Sequence, residues 1–110
     1  MLQEKGKLLR IFLSEDDKHH GKPLYEWIVQ QAKDAGLAGA TVLRGMEGFG
    51  ANRKIHTAKV LRLSIDLPMV IEIIDTPEKI KTFLPVIDEN VKQGLATLED
   101  IEIHFYRTEK

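Results

Sequence analysis

Six apolar-patterned segments follow one another along the chain, and their order restricts the possible folds more than any other feature. Two segments repeat with the spacing of an amphipathic helix, and the others carry the apolar runs or the alternation typical of β-strands. The pattern predicts a strand at 8–13, a helix at 23–35, a strand at 40–46, a strand segment made of 59–66 and 69–74, a helix at 77–91 and a strand at 101–106. Pro68 marks either a bend in one strand or a break between two.

The order strand, helix, strand, strand, helix, strand predicts an α+β domain with a ferredoxin-like fold. In that fold two helices cover one face of an antiparallel sheet. A chain of 110 residues forms a single domain by length, so this domain is expected to span 1–110. Gly36 stands where the first helix should end, and Thr76 and Pro77 suit the cap and first residue of the second. Because Pro85 lies inside the second helix, we expect a kink or a restart there.

The composition is that of an ordinary globular protein and excludes several classes of function. Apolar residues make up 43% and charged residues 30%, and a formal net charge of −1 argues against a general nucleic-acid binder. The absence of cysteine excludes disulfides, thiolate metal sites and thiol catalysis. No window approaches the roughly 20 apolar residues of a membrane span, and the first apolar run is too short for a signal peptide. We therefore expect a cytoplasmic protein without a membrane span.

The sheet face turned away from the helices is predicted to mix large apolar side chains with charges of both signs. Glu72 is expected to pair with Arg10 or Arg62 on this face. Such a mixture suits neither a free surface nor the core of a monomer, but it suits packing against copies of the same chain. The pattern therefore predicts a homo-oligomer. The residues assigned to the face are Arg10, Phe12, Arg62, Ser64, Val70, Glu72, Ile74, Glu102, His104 and Tyr106.

Two stretches carry a resemblance to a known family. The stretch GATVLRGMEGFG at 39–50 is interpreted as a buried strand that leads into a glycine-bearing polar loop, and LSIDLPMVIEIID at 63–75 leads to the second helix. Together they resemble the PII-like signalling proteins, and more closely a small branch of that superfamily of unassigned function. The matching residues are Gly39, Thr41, Val42, Gly48, Phe49, Gly50, Asp66, Leu67, Pro68, Val70, Glu72 and Ile73.

The resemblance implies a homotrimer whose three sheets face inward, with ligand clefts between neighbouring subunits. It implies a non-enzymatic regulatory protein that has no obligatory cofactor and binds a small anion, with an adenine nucleotide such as AMP or ADP as the expected effector. The ligand would order the mobile loop at 47–58 and change its fit to a protein partner such as a transporter or an enzyme. No catalytic residue and no metal ligand are predicted.

The predicted ligand site joins two parts of the sequence. Family members have a glycine- and lysine-rich phosphate loop before the last strand, whereas residues 93–100 contain one glycine and no lysine. Backbone N–H groups at 48–50, helped by nearby positive charge, would therefore contribute more to anion binding than they do in family members. Glycine at 45, 48 and 50 also has a purely conformational interpretation, as a bulged strand end that must turn tightly. The predicted ligand-binding residues are Gly48, Phe49, Gly50, Arg53 and His56 on one side, and Gly94, Leu95, Ala96 and Thr97 on the other.

Two other functions remain as alternatives. A divalent-metal-handling ferredoxin-like trimer would use an acidic and histidine-rich cluster at 15–20, or His56 with His104. Adjacent residues rarely point the same way, however, so a solvated loop is the simpler interpretation of that cluster. A small ferredoxin-like isomerase is the third hypothesis, although the sequence offers no convincing nucleophile. The members of the cluster are Glu15, Asp16, Asp17, His19 and His20.

Overall fold

The computed structural model describes residues 5–49, 56–57 and 66–109. In these ranges the chain forms a four-stranded sheet, two helices and two small hairpins. The elements are β1 (Lys5–Ser14), β2 (Lys18–His19), β3 (Lys22–Pro23), α1 (Leu24–Asp34), β4 (Ala40–Arg44), β5 (Glu47–Gly48), β6 (His56–Thr57), β7 (Pro68–Asp75), α2 (Pro77–Asn90) and β8 (Leu95–Glu102).

The large sheet has the strand order β4–β7–β1–β8, and every neighbouring pair is antiparallel. This is the ferredoxin-like arrangement that the order of the segments predicted. Pro68 is the first residue of β7, a position where a missing N–H is tolerated. The strand predicted at 59–66 lies outside the described residues except for its last position.

Both helices pack on the same face of the sheet, as predicted. Alternate residues of the two central strands point towards the helices, because side chains along a strand alternate between its two faces. Neither of the helices in the described ranges is long and apolar enough to cross a membrane. The buried core consists of Leu9, Ile11 and Leu13 from β1, Ile71 and Ile73 from β7, Leu24, Ile28 and Ala32 from α1, and Ile80, Phe83 and Ile87 from α2.

The structure confirms the prediction that the first helix ends at Gly36. Gly36 has a φ of 79°, a conformation that glycine adopts without strain. Its N–H donates to the carbonyl of Lys33, and the N–H of Leu37 donates to the carbonyl of Ala32, each at 3.1 Å. These two bonds form a Schellman motif, which closes the helix and turns the chain towards β4.

The second helix begins as predicted, but it does not restart at its internal proline. Thr76 is the N-cap, and its Oγ1 accepts a hydrogen bond of 3.2 Å from the N–H of Lys79. The helix then runs without interruption through Pro85. Pro85 is exposed, so water can reach the carbonyl that its ring deprives of a donor.

The last strand is shifted from its predicted position at 101–106. β8 ends at Glu102, because this residue pairs with the first residue of β1. Beyond it the chain leaves the sheet, and the hydroxyl of Tyr106 donates to the carbonyl of Ala38 at 3.1 Å. The C-terminal segment therefore reaches from the β8 edge to the residues that precede β4.

Candidate functional site

The glycine-bearing stretch after β4 forms a short hairpin where a loop without periodicity was predicted. β5 pairs antiparallel with β6, and Gly48 lies opposite His56. The structure thus brings the backbones of two predicted site residues together. Gly50 and Arg53 lie outside the described residues, and for His56 only the backbone is described.

Gly45 and Gly48 are needed for close packing on Pro68. A Cβ on Gly45 would lie 2.7 Å from Cγ of Pro68, and one on Gly48 would lie 3.2 Å from the same atom. The N–H of Gly45 also donates to the carbonyl of Pro68 at 2.7 Å. A close approach of the chain to Pro68 therefore accounts for these two glycines, and not the left-handed turn of a bulged strand end, because neither has a positive φ.

The end of β4 exposes large apolar side chains. Although β4 was interpreted as a buried strand, it lies at the edge of the sheet, and Leu43 is 49% exposed. Met46 and Phe49 follow it with 71% and 62% exposure. Neighbouring apolar side chains of this size are typical of a contact surface, so this end of the sheet is suited to cover by another molecule.

The second part of the predicted site lies in a strand, which corrects its interpretation as a loop. Residues 95–97 belong to β8 and pair with residues 10–12 of β1. Gly94, which precedes the strand, has a φ of 148°, and a Cβ there would lie 2.6 Å from the carbonyl oxygen of Phe12. Gly94 is therefore required by the approach of two backbones.

The two parts of the predicted site belong to different sheets: Gly48 and His56 pair in the β5–β6 hairpin, whereas residues 95–97 lie in β8, an edge strand of the four-stranded sheet. β4 and β8 are the edge strands, and β7 and β1 separate them. With about 4.8 Å between neighbouring strands, the two edges are about 14 Å apart. The hairpin that carries Gly48 follows the edge strand β4, and residues 95–97 lie in the other edge strand, β8.

The acidic residues after β1 form an ordered junction with two other strands. Oε1 of Glu15 accepts hydrogen bonds from Nη2 of Arg44 at 3.0 Å and from the N–H of Leu67 at 3.4 Å. Oδ2 of Asp17 accepts one from the N–H of Ser14 at 2.9 Å. The turn at 14–17 is therefore tied to the end of β4 and the start of β7, which the solvated-loop interpretation did not anticipate.

His19 is held between two partners. Its ring stacks on Trp27 with centroids 3.9 Å apart, and its Nε2 lies 3.0 Å from Oδ1 of Asn90. Because Nδ2 of Asn90 donates to the carbonyl of Val86 at 2.8 Å, Oδ1 is the acceptor and Nε2 of His19 carries the proton. The stack and the hydrogen bond fasten the β2–β3 hairpin to both helices.

The tip of this hairpin, at His20 and Gly21, has an unusual backbone conformation. His20 and Gly21 have φ values of 52° and 82°, as a two-residue turn of type I′ requires. A cavity of about 480 Å³ lies between the hairpin and the C-terminal end of α2, and its lining includes His20, Glu89 and Lys92.

Among residues 5–49, 56–57 and 66–109, no group of three or more His, Cys, Asp or Glu is placed to hold a metal ion. The other site of the metal-handling alternative, His56 with His104, includes a side chain outside the described residues.

The outer face of the sheet confirms the predicted pairing of Glu72 with Arg10. Oε2 of Glu72 lies 2.9 Å from Nε of Arg10, and this hydrogen bond raises the pKa of the guanidinium above its ordinary value. Glu102 shares the helix side with Leu98, which pairs with the buried Leu9, so its assignment to the outer face is wrong. His104 and Tyr106 lie beyond the end of β8, whereas Arg62 and Ser64 are outside the described residues.

The chain matches a family model over almost its whole length. The model is that of DUF190, described as an uncharacterized ACR, and it matches residues 6–103. The chain belongs to the DUF190 family. This DUF190 protein is 50% identical over 99 residues to a UPF0166 protein of Aquifex aeolicus (strain VF5), covering 90% of the chain and 93% of the relative. It is 39% identical over 101 residues to a UPF0166 protein of Methanocaldococcus jannaschii, covering 91% and 93%.

Two solved structures share the fold of the DUF190 protein. Both are of CPII from Thiomonas intermedia K12, a nitrogen regulatory PII-like protein; one holds ADP and bicarbonate, and the other holds ADP, AMP and bicarbonate. Their TM-scores are 0.60 and 0.63 at 20% and 19% identity, and each comparison covers 92% of this chain and 90% of the CPII chain. The predicted resemblance to PII-like proteins is thereby confirmed at the level of the fold.

Asp75 is a residue of the DUF190 protein that the sequence-based prediction missed. It is 3% exposed, and its carboxylate accepts hydrogen bonds from the N–H of Ala38 at 2.8 Å and from the N–H of Thr76 at 2.7 Å. A buried carboxylate requires such donors, so Asp75 ties the end of β7 to the approach to β4 and to the start of α2. The signal that marks it is an acidic residue ending an apolar strand directly before a helix cap.

Proposed function

We propose that this DUF190 protein is a PII-like regulatory protein that binds a small anionic ligand between the subunits of a homotrimer. The proposed ligand is an adenine nucleotide such as AMP or ADP. The observation that carries the proposal is that one candidate segment follows the edge strand β4 and the other lies in the opposite edge strand, β8. In the proposed trimer, a neighbouring subunit places its residues 94–97 against Gly48 and Phe49.

The choice of ligand is supported by the fold and by the backbone at the strand end. CPII, which has a similar fold, has been solved with ADP, AMP and bicarbonate. In the proposed site, backbone N–H groups of Gly48, Phe49 and Gly50 meet the anion, and Arg53 and His56 add positive charge. Arg53 and Gly50 enter the proposal from the sequence, because they lie outside the described residues.

The trimer is supported by the outer face of the sheet. This face carries exposed apolar side chains, with Leu43 at 49%, Ile74 at 40% and Leu95 at 58%, around the paired charges of Arg10 and Glu72. Packing three such faces together would bury the apolar surface and retain the ion pairs.

In the proposed function, the protein acts by binding and not by catalysis, and it needs no obligatory cofactor. A nucleotide in the cleft would favour one conformation of the loop at 47–58, and that conformation would bind a protein partner such as a transporter or an enzyme. The exposed Phe49 at the base of the loop offers the apolar surface that such a partner could cover.

Calorimetric titration with AMP, ADP and ATP tests the proposal, together with light scattering of the free protein. We expect saturable binding by at least one nucleotide and a mass of three 12.5 kDa chains. Arg53→Gln should weaken binding, whereas Lys33→Gln on the exposed side of α1 should leave it unchanged. No heat and no competition with any of the three nucleotides would contradict the choice of ligand, and a monomeric mass would contradict the inter-subunit site.

A further inference from the structure

One carboxylate joins the two ends of the segment that connects β4 to β7. Oε1 of Glu15 accepts from Nη2 of Arg44 at 3.0 Å and from the N–H of Leu67 at 3.4 Å. The backbone N–H of Glu15 donates to the carbonyl of Leu67 at 2.8 Å. Because Arg44 ends β4 and Leu67 directly precedes β7, Glu15 bridges two points that are 23 positions apart in the chain.

Other hydrogen bonds hold the same junction independently of the Glu15 side chain. The N–H of Gly45 donates to the carbonyl of Pro68 at 2.7 Å, and Oδ1 of Asp66 accepts from the N–H of Asp16 at 3.2 Å and from the hydroxyl of Ser14. Loss of the Glu15 charge should therefore loosen the junction without unfolding the sheet.

The charge pair at the junction is partly shielded from solvent. The side chain of Glu15 is 24% exposed and that of Arg44 is 53% exposed. The carboxylate has one charged donor at 3.0 Å and one main-chain donor at 3.4 Å, both on Oε1. Pro68 follows Leu67, and a Cβ on Gly48 would lie 3.2 Å from Cγ of Pro68, so the junction is directly beside the candidate ligand segment.

We propose that Glu15 is a positioning residue for the candidate ligand site. Its carboxylate fixes the spacing between the end of β4 and the start of β7, and it thereby places Gly48 and Phe49 for ligand binding. The effect on nucleotide affinity rests on the proposed function, whereas the effect on the spacing of the two strands does not. Arg44 is the partner through which Glu15 acts.

Hydrogen exchange of single amides tests the effect on the junction. In Glu15→Gln we expect the N–H groups of Gly45 and Leu67 to exchange about fivefold faster, because an ionic hydrogen bond is lost at the junction. The amides of Ile71 and Ile73 in the core should be unchanged. Arg44→Gln should give the same pattern, and the double variant should exchange no faster than either single variant, as expected when both changes remove one interaction.

Nucleotide titration of the same variants tests the effect on the site. We expect Glu15→Gln and Arg44→Gln to weaken the affinity for the best nucleotide by about threefold to tenfold at an unchanged melting temperature, whereas the matched control Glu109→Gln should bind like wild type. Glu109 is exposed near the C-terminus.

Three results would overturn the proposal. The first is unchanged exchange at Gly45 and Leu67; the second is faster exchange there that extends to the core amides together with a lowered melting temperature, which would make Glu15 merely structural. The third is faster local exchange with unaltered nucleotide affinity. If wild type binds no nucleotide, the proposed function fails, and the exchange pattern alone decides whether Glu15 sets the junction.

Discussion

Arg10 and Glu72 lie directly opposite each other on neighbouring strands, and Nε of Arg10 is 2.9 Å from Oε2 of Glu72. Nη1 of Arg10 also lies 3.1 Å from Oε1 of Glu99 on the other side, so two carboxylates flank one guanidinium. An exposed ion pair of this kind contributes little to the stability of a monomer. In the proposed trimer, where this face is covered, the pairs would keep the covered charges satisfied.

A charge placed on this face should prevent assembly. Ile74 is 40% exposed and stands opposite Leu8 on the outer side of the sheet. In Ile74→Glu an unpaired carboxylate would be buried in the proposed subunit contact, at a cost of several kcal/mol. We expect light scattering to show a smaller species than wild type. Lys81→Glu, on the exposed side of α2, is the control and should retain the wild-type mass; normal assembly of Ile74→Glu would remove this face from the interface.

Loss of the Asp75 carboxylate should destabilise the fold. Asp75→Ala leaves the N–H groups of Ala38 and Thr76 without their acceptor in a buried position, and we expect a loss of roughly 2–4 kcal/mol in the free energy of unfolding. Asp75→Asn should cost less, because one oxygen remains as an acceptor. Urea denaturation measures both values. Asp88→Ala on the exposed side of α2 should stay within about 0.5 kcal/mol of wild type, and an equally small effect at Asp75 would show that water replaces its carboxylate.

The elements whose signals are local could be predicted from the sequence. Glu72 between Ile71 and Ile73 shows the period of two that defines a strand with one buried face, and Thr76 and Pro77 define a helix start by their own chemistry. The pairing of Arg10 with Glu72 could also be predicted from the sequence, since both residues were assigned to one face of adjacent strands.

Features that depend on distant residues could not be predicted in this way. Residues 95–97 have no distinct strand pattern and become a strand because β1 offers them a partner. The packing role of Gly45 depends on the position of Pro68, which the glycine pattern alone does not specify. The contact of Glu15 with Arg44 links residues 29 positions apart, so the acidic turn looked solvated in the sequence.

Substitution of Gly94 should destabilise the start of β8. A Cβ at this position would meet the carbonyl oxygen of Phe12 at 2.6 Å, and the φ of 148° is one that other residues rarely adopt. Relief would require the two backbones to separate, so we expect Gly94→Ala to cost about 1–3 kcal/mol in the free energy of unfolding. Gly39→Ala is the matched control, because a Cβ there meets nothing within 4 Å. Equal stability of the two variants would mean that the chain at Gly94 adjusts freely.

The ion pair between Lys7 and Asp100 should make the stability of the folded state depend weakly on pH. Nζ of Lys7 lies 2.6 Å from Oδ1 of Asp100, and the hydrogen bond together with the positive charge lowers the pKa of this carboxyl below its ordinary value. Because the folded-state pKa lies below the unfolded one, ionised Asp100 stabilises the fold above about pH 4, and this contribution is lost as the pH falls through the folded pKa. The carboxyl is 86% exposed, so the effect is weak and falls further with salt.

An NMR titration of the Asp100 carboxyl measures this effect directly. We expect the wild-type midpoint to lie below about 3.9 and to return towards that value in Lys7→Met, since the methionine chain preserves the apolar contacts but carries no charge. Lys81→Met, on a helix distant in sequence, should leave the midpoint of Asp100 where it is in wild type. A midpoint that is the same in wild type and Lys7→Met would show that Lys7 does not hold the carboxylate in solution.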